Sequence, residues 1–147
     1  KCSLAAALLR PPGLARAERQ ARAEAQALLE LVGLARWSDT QSDAMPYGAL
    51  KRLEIARALA ARPKLLLLDE PAAGLNPTET REIDELIRRI AESGITVVLV
   101  EHNMKLVMEV SQRVMVLHEG RKLADGTPGA VSEDPAVVEA YLGAEHA

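Results

Sequence analysis

Two short apolar runs in this chain end in groups that are costly to bury without purpose. Leu65-Leu66-Leu67-Leu68 stops at Asp69-Glu70-Pro71, and Ile95-Thr96-Val97-Val98-Leu99-Val100 stops at Glu101-His102. Two adjacent carboxylates delivered by an apolar strand suit phosphate chemistry. The aspartate holds Mg²⁺, usually through water, and the glutamate orients and deprotonates an attacking water. Neighbouring residues at a strand end point to different sides, so the two carboxylates are free to take different roles. The plainer account is a strand leaving into a solvated acidic turn. His102 has the same two accounts: a surface imidazole, or a donor to a terminal phosphate. A third feature is Tyr47-Gly48 at the opening of a helix, where free backbone N–H groups and the positive end of the helix dipole suit an anion. Helices in general also begin this way, so this feature decides nothing alone.

The elements that must position these groups follow from periodicity. Leu14 to Val32 reads as a helix with Ala21, Ala25, Leu28 and Val32 on one face and Gly33 as its stop. Residues 36–47 read as a loop, and Ala49 to Ala61 as a second helix ended by Arg62-Pro63. The two apolar runs read as strands buried on both faces in a parallel sheet. Between them lies a helix capped by Asn76, with Pro77 in its first turn and Glu79 at capping-box spacing. Its buried stripe is Ile83, Leu86, Ile87 and Ile90, and Gly94 ends it. Strand, helix, strand is a βαβ unit, for which a right-handed crossover is expected. Arg113 to Leu117 and Lys122 to Ala124 read as a hairpin about Glu119-Gly120, and Asp134-Pro135 caps a last helix running to Leu142. In open parallel sheets ligands gather at the carboxyl ends of the strands, where Asp69-Glu70 and Glu101-His102 lie.

Composition narrows the function classes. The chain has 147 residues, 48% apolar and 27% charged, enough for one folded domain and awkward for two. A net charge of −3 and a single Trp, two Tyr and no Phe argue against a nucleic-acid binder, which would show a basic excess and stacking aromatics. One cysteine, Cys2, permits no internal disulfide and fits a reducing compartment. The uncharged stretches Cys2 to Leu9 and Gly94 to Val100 are too short to cross a bilayer. The first is followed by Arg10-Pro11-Pro12 rather than a small-residue cleavage site, so a signal peptide is not expected. The chain begins at Lys1 rather than Met, which suggests a piece of something longer.

The order and wording of the whole set carry a resemblance. Met45-Pro46-Tyr47-Gly48-Ala49-Leu50-Lys51-Arg52-Leu53-Glu54-Ile55-Ala56-Arg57-Ala58-Leu59, then Leu65 to Pro71, then Ala73-Gly74-Leu75-Asn76, then Glu101-His102, resemble the ATP-binding-cassette (ABC) ATPases over roughly residues 14–143. In that family these are the signature motif, the Walker B motif, the D-loop and the switch histidine. The wording of residues 68–77, 101–108, 124–128 and 140–143 looks like the ATP-binding subunit of branched-chain amino-acid importers. The resemblance implies an α/β partial P-loop NTPase fold, with a mostly parallel sheet flanked by helices, a helical N-terminal segment and a C-terminal β-hairpin. Residues 1–62 would be part of the helical, signature-bearing subdomain, and residues 63–147 the C-terminal part of the ATPase core.

The resemblance also implies roles. ATP and Mg²⁺ would be the cofactors, with Asp69 placing the metal, Glu70 as general base and His102 on the γ-phosphate. Tyr47 and Gly48 would meet the nucleotide of a second cassette, and Asn76 would lie in the dimer-contacting D-loop. The other partners would be membrane permease subunits, with the protein cytoplasmic and peripheral on the inner face of the membrane. Three departures from the family bear most on activity, besides Asn103 where an Asp is common after the switch histidine. No lysine follows a glycine, so G-x-x-x-x-G-K-[ST] is absent and with it the phosphate cradle. Pro46 stands where Ser is expected, removing a hydroxyl and a backbone N–H, and Ala49 replaces Gln. The 147 residues alone are therefore expected to lack ATPase activity. The alternative is a truncated cassette that acts only as a dimerisation or partner-binding module, and association into dimers or larger species is expected in either case.

Overall fold

The computed structural model describes residues 12–142. Cys2, the apolar run to Leu9 and Gly143 lie outside the described residues. Helix α1 spans Pro12–Leu31 and stops at Gly33, whose φ of 71° closes the helix in the left-handed region that glycine adopts without cost. Two short 3₁₀ turns, Ala35–Trp37 and Ser42–Ala44, carry the chain to α2, Tyr47–Ala60. This helix starts two residues before the expected Ala49, so Tyr47 and Gly48 sit in its first turn. Its N-cap is Pro46, which offers no side-chain acceptor.

Strand β1 is Leu65–Asp69, helix α3 is Pro77–Glu92 and strand β2 is Thr96–Val100. β1 and β2 pair in parallel with Leu65 opposite Thr96 and Asp69 opposite Val100, so the two apolar runs end side by side. The α3 cap forms as its residues dictate. Asn76 Oδ1 accepts from the N–H groups of Thr78 (2.9 Å) and Glu79 (3.0 Å), and the Glu79 carboxylate accepts from Asn76 N–H (3.1 Å). Ile83, Leu86, Ile87 and Ile90 are all buried. They join Val32, Leu34, Ile55, Ala56, Leu59 and Leu66 in one apolar cluster that ties α1, α2, α3 and β1 together.

The β1–β2 sheet differs from the expectation in one respect. Leu66 is 4% exposed, but its neighbours Leu65 and Leu67 are 51% and 68% exposed, and Val98 and Val100 of β2 are exposed on the same terms. Strand side chains alternate between faces. Helices cover one face; the other is bare among the described residues. Continuous apolar runs mark strands meant for cover on both faces, and here only one cover is at hand.

After α4, Met104–Val110, the hairpin β3 (Val114–His118) and β4 (Arg121–Gly126) forms antiparallel about Glu119 and Gly120. Both turn residues have positive φ, 49° and 74°, the two-residue turn whose twist matches the strands. Short helices α5, Pro128–Ser132, and α6, Pro135–Val137, follow, and Asp134 caps the second by accepting from Ala136 N–H at 2.9 Å. A single π-helical turn, Val138–Leu142, closes the described chain. Val114, Val116, Val131 and Val137 form a second, smaller core under the hairpin. The fold is helix-rich α/β, with one parallel and one antiparallel two-stranded sheet.

Candidate functional site

The carboxyl ends of β1 and β2 bring Asp69, Glu70 and His102 together. Asp69 is the last residue of β1 and is exposed. Glu70 follows with φ 44°, an uncommon conformation for a residue with a side chain. Its N–H donates to Val100 O at 2.9 Å, extending the parallel ladder one residue past the strand. Left-handed backbone outside glycine costs on the order of 1 kcal/mol and is kept where the surroundings enforce it. The result here is that Glu70 turns toward β2, where His102 Nδ1 lies 3.1 Å from its Oε1. Both side chains remain open, 51% and 74% exposed. An exposed pair of this kind contributes little to stability. Its geometry, two reactive groups held together at a strand-end mouth, is the more informative property.

Glu101 has a different task. Its carboxylate accepts from Ala72 N–H at 3.3 Å, tying the end of β2 to the loop that follows Glu70. Sequence reasoning placed Glu101 beside His102 without a role, and that long-range contact carries no local signal.

Tyr47, Gly48 and Asn76 form a second group, where the start of α2 meets the loop and cap before α3. The Tyr47 hydroxyl donates to Ala73 O at 3.4 Å, and its ring lies against Gly74. Gly74 has φ 76°, which favours glycine, and a Cβ there would meet the Tyr47 ring in a tight contact at 3.3 Å. Gly48 is buried against Glu79: a Cβ on Gly48 would sit 2.7 Å from Glu79 Cδ and closer still to Oε1. Asn76 Oδ1 is fully engaged as the α3 cap. Lys51, unremarked in the sequence, stands with its ammonium 5.7 Å from the Tyr47 ring centroid. It also lines, with Asp69 and Pro71, a groove of about 210 Å³.

The Gly48 contact yields a direct test. Gly48→Ala is expected to push the Glu79 carboxylate off Asn76 N–H, because a flexible side chain yields before backbone does. Loss of half the capping box should cost about 1 kcal/mol in urea unfolding. The double variant Gly48→Ala with Glu79→Ala should then cost no more than Glu79→Ala alone. Additive costs would show that Gly48 does not act through Glu79.

The fold and these motifs define an ATP-binding cassette: the chain belongs to the ABC transporter ATP-binding family. The family model for ABC transporters matches residues 4–73, and that for the branched-chain amino acid ATP-binding cassette transporter matches residues 121–147. More particularly, the chain is 45% identical over 144 residues to the high-affinity branched-chain amino acid transport ATP-binding protein LivG of Escherichia coli, covering 97% of this chain and 56% of LivG. It is equally similar, 45% over 139 residues, to BraF of Pseudomonas aeruginosa, which carries the same description, covering 94% of this chain and 54% of BraF. Among solved structures it matches MJ1267, an ATP-binding cassette of an ABC transporter in its ADP conformation, with TM-score 0.76 and 30% identity over 84% of this chain and 50% of that one. The chain thus spans little more than half the length of the relatives it matches.

Proposed function

We propose that this chain works as part of the ATP-hydrolysing cassette of an importer for branched-chain amino acids. Glu70 and His102 in contact beside Asp69, at the joined ends of two parallel strands, is the observation that carries this reading. Asp69 forms no ion pair or side-chain hydrogen bond among the described residues, so its carboxylate is open to a hydrated cation. The same residues offer no group of three His, Cys, Asp or Glu able to hold a metal unaided. That donor set suits Mg²⁺ held through water and shared with phosphate oxygens, where its chemistry is to neutralise phosphate charge.

In this reading Glu70 takes the proton of the attacking water. One of its oxygens faces His102 and the other is free to do so. An ionised Glu70 fixes a proton on Nδ1 of the ring and leaves Nε2 outward. A hydrogen bond from Nε2 to a phosphate then calls for the doubly protonated imidazole. The division of the candidate residues into two groups supports a paired arrangement. Asp69, Glu70 and His102 would serve the cassette's own nucleotide, and Tyr47, Gly48 and Asn76 would face the nucleotide and D-loop of a second cassette. Residues 1–62 are assigned to the helical subdomain, which meets the permease subunits, and residues 63–147 to the ATPase core, with the assembly on the cytoplasmic face of the membrane. No helix among the described residues is long and apolar enough to cross that membrane.

A second reading, a partner-binding module without catalysis, is favoured by Pro46 at the α2 N-cap and by the bare sheet face. One chimera separates the two. Residues 14–143 replace the matching segment of E. coli LivG, and ATP hydrolysis and branched-chain amino acid uptake are measured in the assembled transporter. The first reading expects both activities, raised by Pro46→Ser. An assembled chimera that stays inactive even with Pro46→Ser and Ala49→Gln would leave the second.

A further inference from the structure

Helix α3 buries one charged residue among its isoleucines and leucines. Asp84 is only 8% exposed, and its Oδ1 is fully buried with no hydrogen-bond partner among the described residues. An unpaired buried oxygen of this kind is costly, and a native chain that keeps one has a use or a partner for it. Asp84 lies on a pocket of about 640 Å³ between α3 and α4, whose walls include Leu75, Pro77, Thr80, Leu106 and Glu109. We propose that this pocket binds a guanidinium or alkylammonium group carried on an aliphatic stem.

Charge and shape both favour that ligand. Asp84 feels Glu109 of α4, Glu101 at the end of β2 and Glu85 of its own helix, with Arg88 alone offsetting them. Arg88 is divided between this task and Glu109, 4.0 Å from its guanidinium. Arg81 stands at the rim but is turned onto its own helix, donating to Pro77 O (3.2 Å) and to Thr78 Oγ1 (3.4 Å). The lining sets Asp84 and Glu109 against Arg81 and Lys105, yet neither cation pairs with Asp84 among the described residues, so its carboxylate has no counter-charge seated on it. A metal ion is a poor fit, because no metal-holding cluster exists among the described residues. Leu75, Pro77 and Leu106 give apolar walls for a methylene stem whose charged head reaches Asp84. Burial and the surrounding carboxylates raise the Asp84 carboxyl above its ordinary range, and a cation bound beside it would lower it again.

The probes are butylguanidinium and the peptide acetyl-Gly-Arg-Gly-amide, titrated into the 147-residue chain and followed by NMR at the Asp84 carboxyl and the Leu106 amide. Saturable shifts at both are expected. Asp84→Asn, nearly isosteric and free of the buried charge, should weaken binding by about tenfold or more. Lys105→Ala, which removes a rim cation, should leave or strengthen it. The Asp84 carboxyl should titrate lower with probe bound than without. Binding of both probes assigns the site to a basic side chain of a protein partner; binding of butylguanidinium alone assigns it to a free small amine. The proposal fails if neither probe saturates, or if Asp84→Asn, with its β3–β4 amide resonances unchanged, binds as well as the parent.

Discussion

Glu70→Gln in the LivG chimera is expected to lower ATP turnover by about 10²–10⁴-fold, the usual contribution of a positioned general base, while nucleotide binding is kept. The argument rests on what the substitution changes and what it leaves. Glutamine has the same shape and retains an oxygen to face His102, so the strand-end geometry at Glu70 and Val100 should persist. It cannot take a proton from water. His102→Ala should cost less than Glu70→Gln, because a hydrogen-bond donor is lost and not the base. The measurement is turnover at saturating ATP beside equilibrium binding of a fluorescent ATP analogue. A Glu70→Gln enzyme within threefold of the parent would remove Glu70 from the mechanism. A parallel loss of binding would instead show that Glu70 serves the structure, where its left-handed backbone already marks it as strained.

How much of this was legible beforehand depends on the distance over which each signal acts. The α3 cap, its apolar stripe and the Glu119-Gly120 turn were readable because their causes lie within four residues of one another. The pairing of Asp69 with Val100 and of Glu70 with His102 was partly readable: both strands announce their ends, and parallel βαβ geometry puts those ends together. The contacts of Gly48 with Glu79 and of Tyr47 with Ala73 and Gly74 were not readable. They join segments more than 25 residues apart, and glycine at a helix start has a sufficient local explanation. Asp84 was hidden for a different reason. It sits next to Ile83 on a helix that already shows a full apolar stripe, and polar residues flanking such a stripe are ordinarily exposed. Only the arrival of α4 over it makes it a buried charge.

The bare sheet face makes a second large effect depend on which of two adjacent leucines is cut. Leu66→Ala is expected to cost 2–5 kcal/mol (roughly, as for buried leucines generally), because its side chain is 4% exposed and lies in the cluster shared with α2 and α3. Leu67→Ala, one residue along and 68% exposed, should cost no more than about 0.5 kcal/mol in the same urea titration. Propensity cannot produce this contrast, since residue type and strand are identical; only the alternation of faces can. Leu65, Leu67, Val98 and Val100 form an apolar patch that favours association, so Leu67→Ala should also shift the chain toward monomer in sedimentation at micromolar concentration. In the LivG chimera the cost of Leu67→Ala should rise toward that of Leu66→Ala. Strand runs that are apolar on both faces are typical of sheets covered on both sides, and the chimera tests whether the rest of LivG supplies the second cover. Equal costs for the two leucines in the 147-residue chain would mean that the outer face is already covered and that the sheet is not one-sided in solution.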